Sequence, residues 1–125
     1  MHELKIISQF AAAHQLREYE GGCERLHGHN WKVEVCVQGA EPGDDGLLID
    51  FRVIKERTRK VIDALDHEFL NDLEPFKTCN PSSENVARHI FDSLSRELNT
   101  DIIQVSKVSV WESDTACASY SETGS

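Results

Sequence analysis

A chain of 125 residues, 39% hydrophobic and 28% charged, has the make-up of one ordinary globular domain with enough apolar side chains for a real core. Its 22 acidic against 13 basic residues leave a formal charge of −9, which argues against nucleic acid or an anionic membrane as the main partner. The same charge suits a small anionic substrate only if a metal or a local basic cluster reverses the field.

The four cysteines, Cys23, Cys36, Cys79 and Cys117, follow no disulfide framework. The opening MHELKIISQF lacks the charged segment and apolar run of a signal peptide, and no stretch is long and apolar enough to span a membrane. A reducing cytoplasm with free thiols is the expected setting. No internal repeat or low-complexity segment interrupts the chain, so a single domain over residues 1–125 is expected, with SYSETGS as a frayed tail.

In ELKIISQFAAAH, Leu4, Ile6, Phe10 and Ala12 fall on one face and His14 continues that parity. This predicts a half-buried strand that delivers a histidine at its far end. QLREYEGGCERLHGH reads as a polar loop with Gly21-Gly22. NWKVEVCVQG alternates again, with Trp31, Val33, Val35 and Val37 opposite Asn30, Lys32, Glu34 and Gln38, and His29 shares the apolar parity. EPGDDG is turn material. The period then changes, and Ile54, Thr58, Val61, Ile62 and Leu65 predict a helix that stops around Asp66-His67. After the loop EPFKTCNPSS, Ser82 or Ser83 can cap a second helix with Glu84 in its first turn and Val86, Ile90, Phe91, Leu94 and Leu98 on its apolar face. DIIQVSKVSVWES returns to period two, Val108, Val110 and Glu112 sharing a face, and TACASYSE is a last strand. Strands and helices in runs rather than in alternation indicate an α+β fold, with an antiparallel four-stranded sheet and both helices on one face.

His14, His27 and His29 carry the sharpest chemical signal. Residues two apart in an extended segment point the same way, so His27 and His29 can approach one ion together. Gly28 between them places no bulk on the opposite face. Three neutral imidazoles and an open position make a catalytic zinc site. A satisfied core histidine and a chance His-x-His pair are the plain alternative. Cys23 can either join the histidines as a fourth ligand of a structural site or stand beside the ion as a base. Asp66 can orient His67 for proton transfer, although an Asp-His pair is also ordinary helix-end polarity. Glu112 ends an apolar strand face and needs either solvent or a partner; an amino-pyrimidine, with two adjacent N–H donors, would match its carboxylate bidentately.

Taken together, FAAAH, CERLHGHNW, GLLIDF, LDHEFLN, NPSSENVA and VWES resemble the 6-pyruvoyl-tetrahydropterin synthase / 6-carboxy-tetrahydropterin synthase family, over about Phe10 to Tyr120. The resemblance implies the tunnelling fold, ββααββ, in a homo-oligomer whose trimers form a barrel and stack into a hexamer. It implies Zn2+ held by His14, His27 and His29, with Cys23 as the proton-abstracting base, Asp66 and His67 assisting it, and Glu112 anchoring the pterin ring. The implied substrate is 7,8-dihydroneopterin triphosphate. Three residues separate Cys23 from His27, as in the bacterial queuosine-pathway enzymes, which favours 6-carboxy-5,6,7,8-tetrahydropterin as product with release of acetaldehyde and triphosphate. Pyruvoyl-pterin formation, side-chain cleavage aided by Glu24, and a non-catalytic zinc and pterin module are the alternatives. Arg17, Arg25, Lys32 and Lys107 are the basic residues weighed for triphosphate contact, with a solvated surface role as the default for each.

Overall fold

The structure, a computed structural model, describes residues 1–17 and 25–122. Strands β1 (His2–His14) and β2 (His27–Gly39) precede helix α1 (Phe51–Asp63), the two-residue strand β3 (Glu68–Phe69) and helix α2 (Ser83–Leu98). Strands β4 (Ile103–Ser113) and β5 (Ala116–Tyr120) follow. Within the sheet the order is β3-β1-β2-β4-β5. The four expected strands pair antiparallel in sequence, whereas β3 adds to the free edge of β1 in parallel through Ala12–Glu68 and Ala13–Phe69. The architecture is the expected α+β one, but the sheet is mixed and five-stranded. A strand of two residues is too short to leave a periodic trace in the sequence.

The alternation read from the sequence is the one the sheet uses. Ile6, Phe10, Ala12 and His14 of β1 lie on the buried face, and so do Trp31, Val33, Val35 and Val37 of β2. The helices cover that face: α1 buries Ile54, Thr58 and Ile62, and α2 buries Val86, Ala87, Ile90, Phe91, Leu94 and Leu98. Each helix begins on a side-chain cap. Asp50 accepts from the Arg52 N–H at 2.8 Å, and Ser82 accepts from the Asn85 N–H at 3.2 Å. Phe10 and Trp31, direct partners across β1 and β2, stack with ring centroids 5.8 Å apart and planes 3° from parallel.

Helix α1 ends earlier than the apolar stripe suggests. Its last residue is Asp63, and the N–H groups of Leu65 and Asp66 both reach the Ile62 carbonyl as the chain turns. The His67 N–H then donates to Ala11 O, so the chain leaves the helix to meet the edge of β1. Leu65 extends the stripe past the helix because the turn itself is packed on the core.

The far end of β2 depends on Gly39, which pairs with His2 on one side and Ile103 on the other. A methyl group there would lie 2.8 Å from the Ile102 carbonyl oxygen and 2.9 Å from a Leu48 methyl. Gly39→Ala should therefore destabilise the fold by about 1–3 kcal/mol, read as a lower denaturant midpoint. An unchanged midpoint would mean that the two strand ends can separate without loss.

Candidate metal centre

The β1–β2 register sets His14 directly opposite His27 and Ala12 opposite His29, so the three imidazoles share the buried face at one end of the sheet. Their ring centroids are 4.7 Å (His14–His27), 5.1 Å (His14–His29) and 4.5 Å (His27–His29) apart. One nitrogen from each falls within 4.8 Å of the others. Trp31 forms the wall behind them, its ring edge-on to His14 and His29, and its indole N–H donates to Ala12 O.

Backbone carbonyls determine the tautomers. His14 Nδ1 lies 2.7 Å from Pro81 O, and His27 Nδ1 lies 2.9 Å from Arg25 O. A carbonyl only accepts, so each Nδ1 carries a proton and each ring turns its Nε2 inward. Those two Nε2 atoms are 3.1 Å apart. That spacing suits a proton or a metal ion shared between the two rings. Two nitrogens at ~2.05 Å from a tetrahedral zinc stand about 3.3 Å apart, so the observed spacing fits a shared ion. Donating the second ring N–H to a backbone carbonyl is also how metal-bound histidines are commonly oriented.

The Pro81 carbonyl is held in place by two asparagines that the sequence reading passed over. Asn71 takes the Gln15 N–H and donates to Gln15 O, at 2.9 and 2.7 Å. Asn80 does the same with Arg17, at 2.8 and 2.9 Å, and Asn85 of α2 donates to Asn80 O. The exit of β1 is thus bound to the loop that orients His14. The signal present in the sequence was the asparagine before Pro81, a turn-type residue whose side chain can pair with backbone. The same loop occupies Arg17, whose guanidinium donates to the carbonyls of Cys79 and Asn71. Lys32 lies over the Trp111 ring, 4.6 Å from its centroid.

Glu112 lies beside the histidines. It continues the buried parity of Val108 and Val110, its side chain 34% exposed, with Oε1 3.7 Å from His14 Nε2. It also lines a cavity of about 380 Å³ with Ser83 and Glu84 at the start of α2 and Ala116, Cys117 and Ala118 of β5. The carboxylate therefore stands between the histidine cluster and a concave space of its own.

Asp66 and His67 sit elsewhere. Asp66 Oδ1 accepts the Ala11 N–H at 2.9 Å and lies 3.1 Å from His67 Nδ1. The Ala11 N–H, with smaller help from His67, holds the Asp66 carboxyl below its ordinary range. His67 is 82% exposed and has left-handed backbone (φ 61°), which costs a residue with a side chain on the order of 1 kcal/mol. It lines a groove of about 550 Å³ with Ala11, Ala13, Gly28, Asn30 and Phe69. Ala11, Ala13, Gly28 and Asn30 are on the face turned away from the helices, opposite in parity to the three histidines. His29 belongs to both the cluster and this groove. Gly28 has no packing role within the chain, since an added methyl would meet only Ala12 O at 3.8 Å. Cys23 and Glu24 lie outside the described residues.

The profile of the family described as 6-pyruvoyl tetrahydropterin synthase matches residues 3–123. A Bacillus subtilis relative, 6-carboxy-5,6,7,8-tetrahydropterin synthase, is 38% identical over 103 residues, covering 78% of this chain and 68% of the relative. The dihydroneopterin monophosphate aldolase of Pyrococcus furiosus is 33% identical over 105 residues, covering 84% of each. The 6-pyruvoyl tetrahydropterin synthase structure of Caenorhabditis elegans superposes with a TM-score of 0.84 at 25% identity, covering 98% of this chain and 96% of that one. The chain belongs to the 6-pyruvoyl tetrahydropterin synthase family.

Proposed function

We propose that this chain is a zinc-dependent lyase that converts 7,8-dihydroneopterin triphosphate to 6-carboxy-5,6,7,8-tetrahydropterin, releasing acetaldehyde and triphosphate. The observation that carries the reading is the three-histidine cluster, in which the inward Nε2 atoms of His14 and His27 are 3.1 Å apart. The similarity to the Bacillus subtilis synthase supports the choice of reaction. Zinc bound there would supply Lewis acidity to the hydroxyls of the pterin side chain.

The protein's own residues supply the rest. The Glu112 carboxylate accepts the two adjacent N–H donors of the amino-pyrimidine edge and so fixes the ring in the cavity beside α2. Cys23, four residues before a metal ligand, takes the proton from the side-chain carbon. Asp66, kept ionised by the Ala11 N–H, orients His67 to move protons to and from the side-chain oxygens. His67 opens into the groove on the other face of the sheet, and the site that joins it to the histidines is read as assembled from more than one copy of the chain, as the family resemblance implies. The sheet ends β3 and β5 are the edges through which copies would pair into a trimer, and two trimers into a hexamer. The reading places a single domain over 1–125 in a cytoplasmic pathway to queuosine and related 7-deazapurines. Among the described residues no helix is long and apolar enough to cross a membrane.

A second reading, cleavage of the dihydropterin side chain, is favoured by Glu24 beside Cys23 and by the similarity to the Pyrococcus furiosus aldolase. Mass spectrometry of the products formed from 7,8-dihydroneopterin triphosphate separates the two. Carboxy-tetrahydropterin with acetaldehyde is expected; a hydroxymethyl or pyruvoyl pterin would move the reaction, and no conversion by metal-loaded protein would favour a binding module. His27→Ala should abolish stoichiometric zinc uptake while the circular dichroism of the fold persists. Cys23→Ala should keep the zinc and lose at least ~10²-fold in turnover, the scale of a lost general base. Loss of zinc with the thiol would make Cys23 a ligand.

A further inference from the structure

We propose that Asn71 and Asn80 are positioning residues of the metal centre, whose side-chain amides stand in for a missing strand where β1 carries His14 to the site. This rests on the reading of the histidine cluster as a metal site. On one side of β1 the pairing with β2 ends at His14 itself, opposite His27. On the other side the short strand β3 stops at Ala13, one residue earlier. Beyond that point the backbone N–H and C=O groups of the strand end need other partners. The two asparagines supply them. Asn71 pairs with both the N–H and the C=O of Gln15, and Asn80 does the same for Arg17. A side-chain amide carries an acceptor and donors on one planar head, so it reproduces the paired bonds by which a strand residue engages its neighbour.

Earlier on the strand Asp66 and His67 act alike: Asp66 Oδ1 accepts the Ala11 N–H, and the His67 N–H donates to Ala11 O. Ala11, Gln15 and Arg17 share one parity, and all their bonds of this kind go to the segment between α1 and α2. Asn80 is itself tied from behind, because its carbonyl accepts the Asn85 side-chain amide of α2 at 2.8 Å. The next residue is Pro81, whose carbonyl oxygen lies 2.7 Å from His14 Nδ1. His14, 1% exposed, is therefore held at its ring and through the backbone beside it by the same segment. With both fixed to one body, Nε2 cannot swing away from His27 and His29, and an ion meets ligands ordered in advance. Removing an amide frees the strand end from that segment while every ligand atom remains.

The test uses full-length protein loaded with Co2+, with affinity read by competition against a chelator and geometry read from the visible absorption of the ion. Asn80→Ala should bind Co2+ ~10–100-fold more weakly and give a changed spectrum, the scale on which partners of metal-bound histidines act. Asn71→Ala should move both readouts in the same direction, and it decides the matter if Asn80→Ala does not fold. Gly39→Ala, a destabilising change at the far end of β2, is the control and should keep wild-type affinity and spectrum. Wild-type affinity and spectrum in the asparagine variants would overturn the positioning role and leave the metal site intact. An equal loss in Gly39→Ala would also overturn it, since the effect would then be a general weakening of the fold. Failure of the wild type to bind Co2+ at all would overturn the metal reading and this inference with it.

Discussion

The register between β1 and β2 is the constraint from which the site follows. It sets His14 against His27, brings His29 to the same face, and stacks Phe10 on Trp31 one pair further along. A slip of one residue in β2 would turn all of its apolar side chains outward and bury Lys32 and Glu34. The core pins the register, because Trp31, Val33, Val35 and Val37 are fully buried under the helices. The histidines thus inherit their alignment from hydrophobic packing rather than from any interaction among themselves. What packing cannot specify is which ring nitrogen faces inward, and the carbonyls of Pro81 and Arg25 do that.

The part of this that was legible in the sequence was the part that rests on strand parity. His14, His29 and Glu112 each continue an apolar alternation, and all three face the same side of the sheet. Parity is a local property and survives translation into structure. The end of α1 did not read correctly, because Leu65 stays buried in a turn after the helix has finished and so prolongs the helical stripe. Strand β3 was invisible for want of length. The separation of Asp66 and His67 from the histidines was also beyond reach, since it depends on the chain crossing to the edge of β1 through the Ala11 N–H and C=O. Gly28 places no bulk on the outer face, as its position between the histidines suggested, and an added methyl there would meet only Ala12 O at 3.8 Å.

The charge of −9 is less of an obstacle once its distribution is seen. Glu41, Asp44, Asp45 and Asp101 gather around one cavity where β2 has ended and β4 is about to begin. The histidine cluster is at the other end of the 13-residue strand β2. That is roughly 40 Å of extended chain, several times the screening length of ~8 Å at physiological salt. These acids therefore contribute little to the field that an anionic substrate meets. Nearer the site, Glu112 stands 3.7 Å from His14, while Asp66 pairs with the exposed His67.

The central claim is an open metal centre built on imidazole nitrogen, with Cys23 beside it rather than in it. X-ray absorption at the zinc edge of the loaded protein tests this most directly, because sulfur and nitrogen neighbours scatter differently. A first shell of nitrogen and oxygen alone, at ~2.0–2.2 Å, is the predicted result. A sulfur neighbour at ~2.3 Å would contradict it, closing the site with Cys23 and turning a catalytic centre into a structural one.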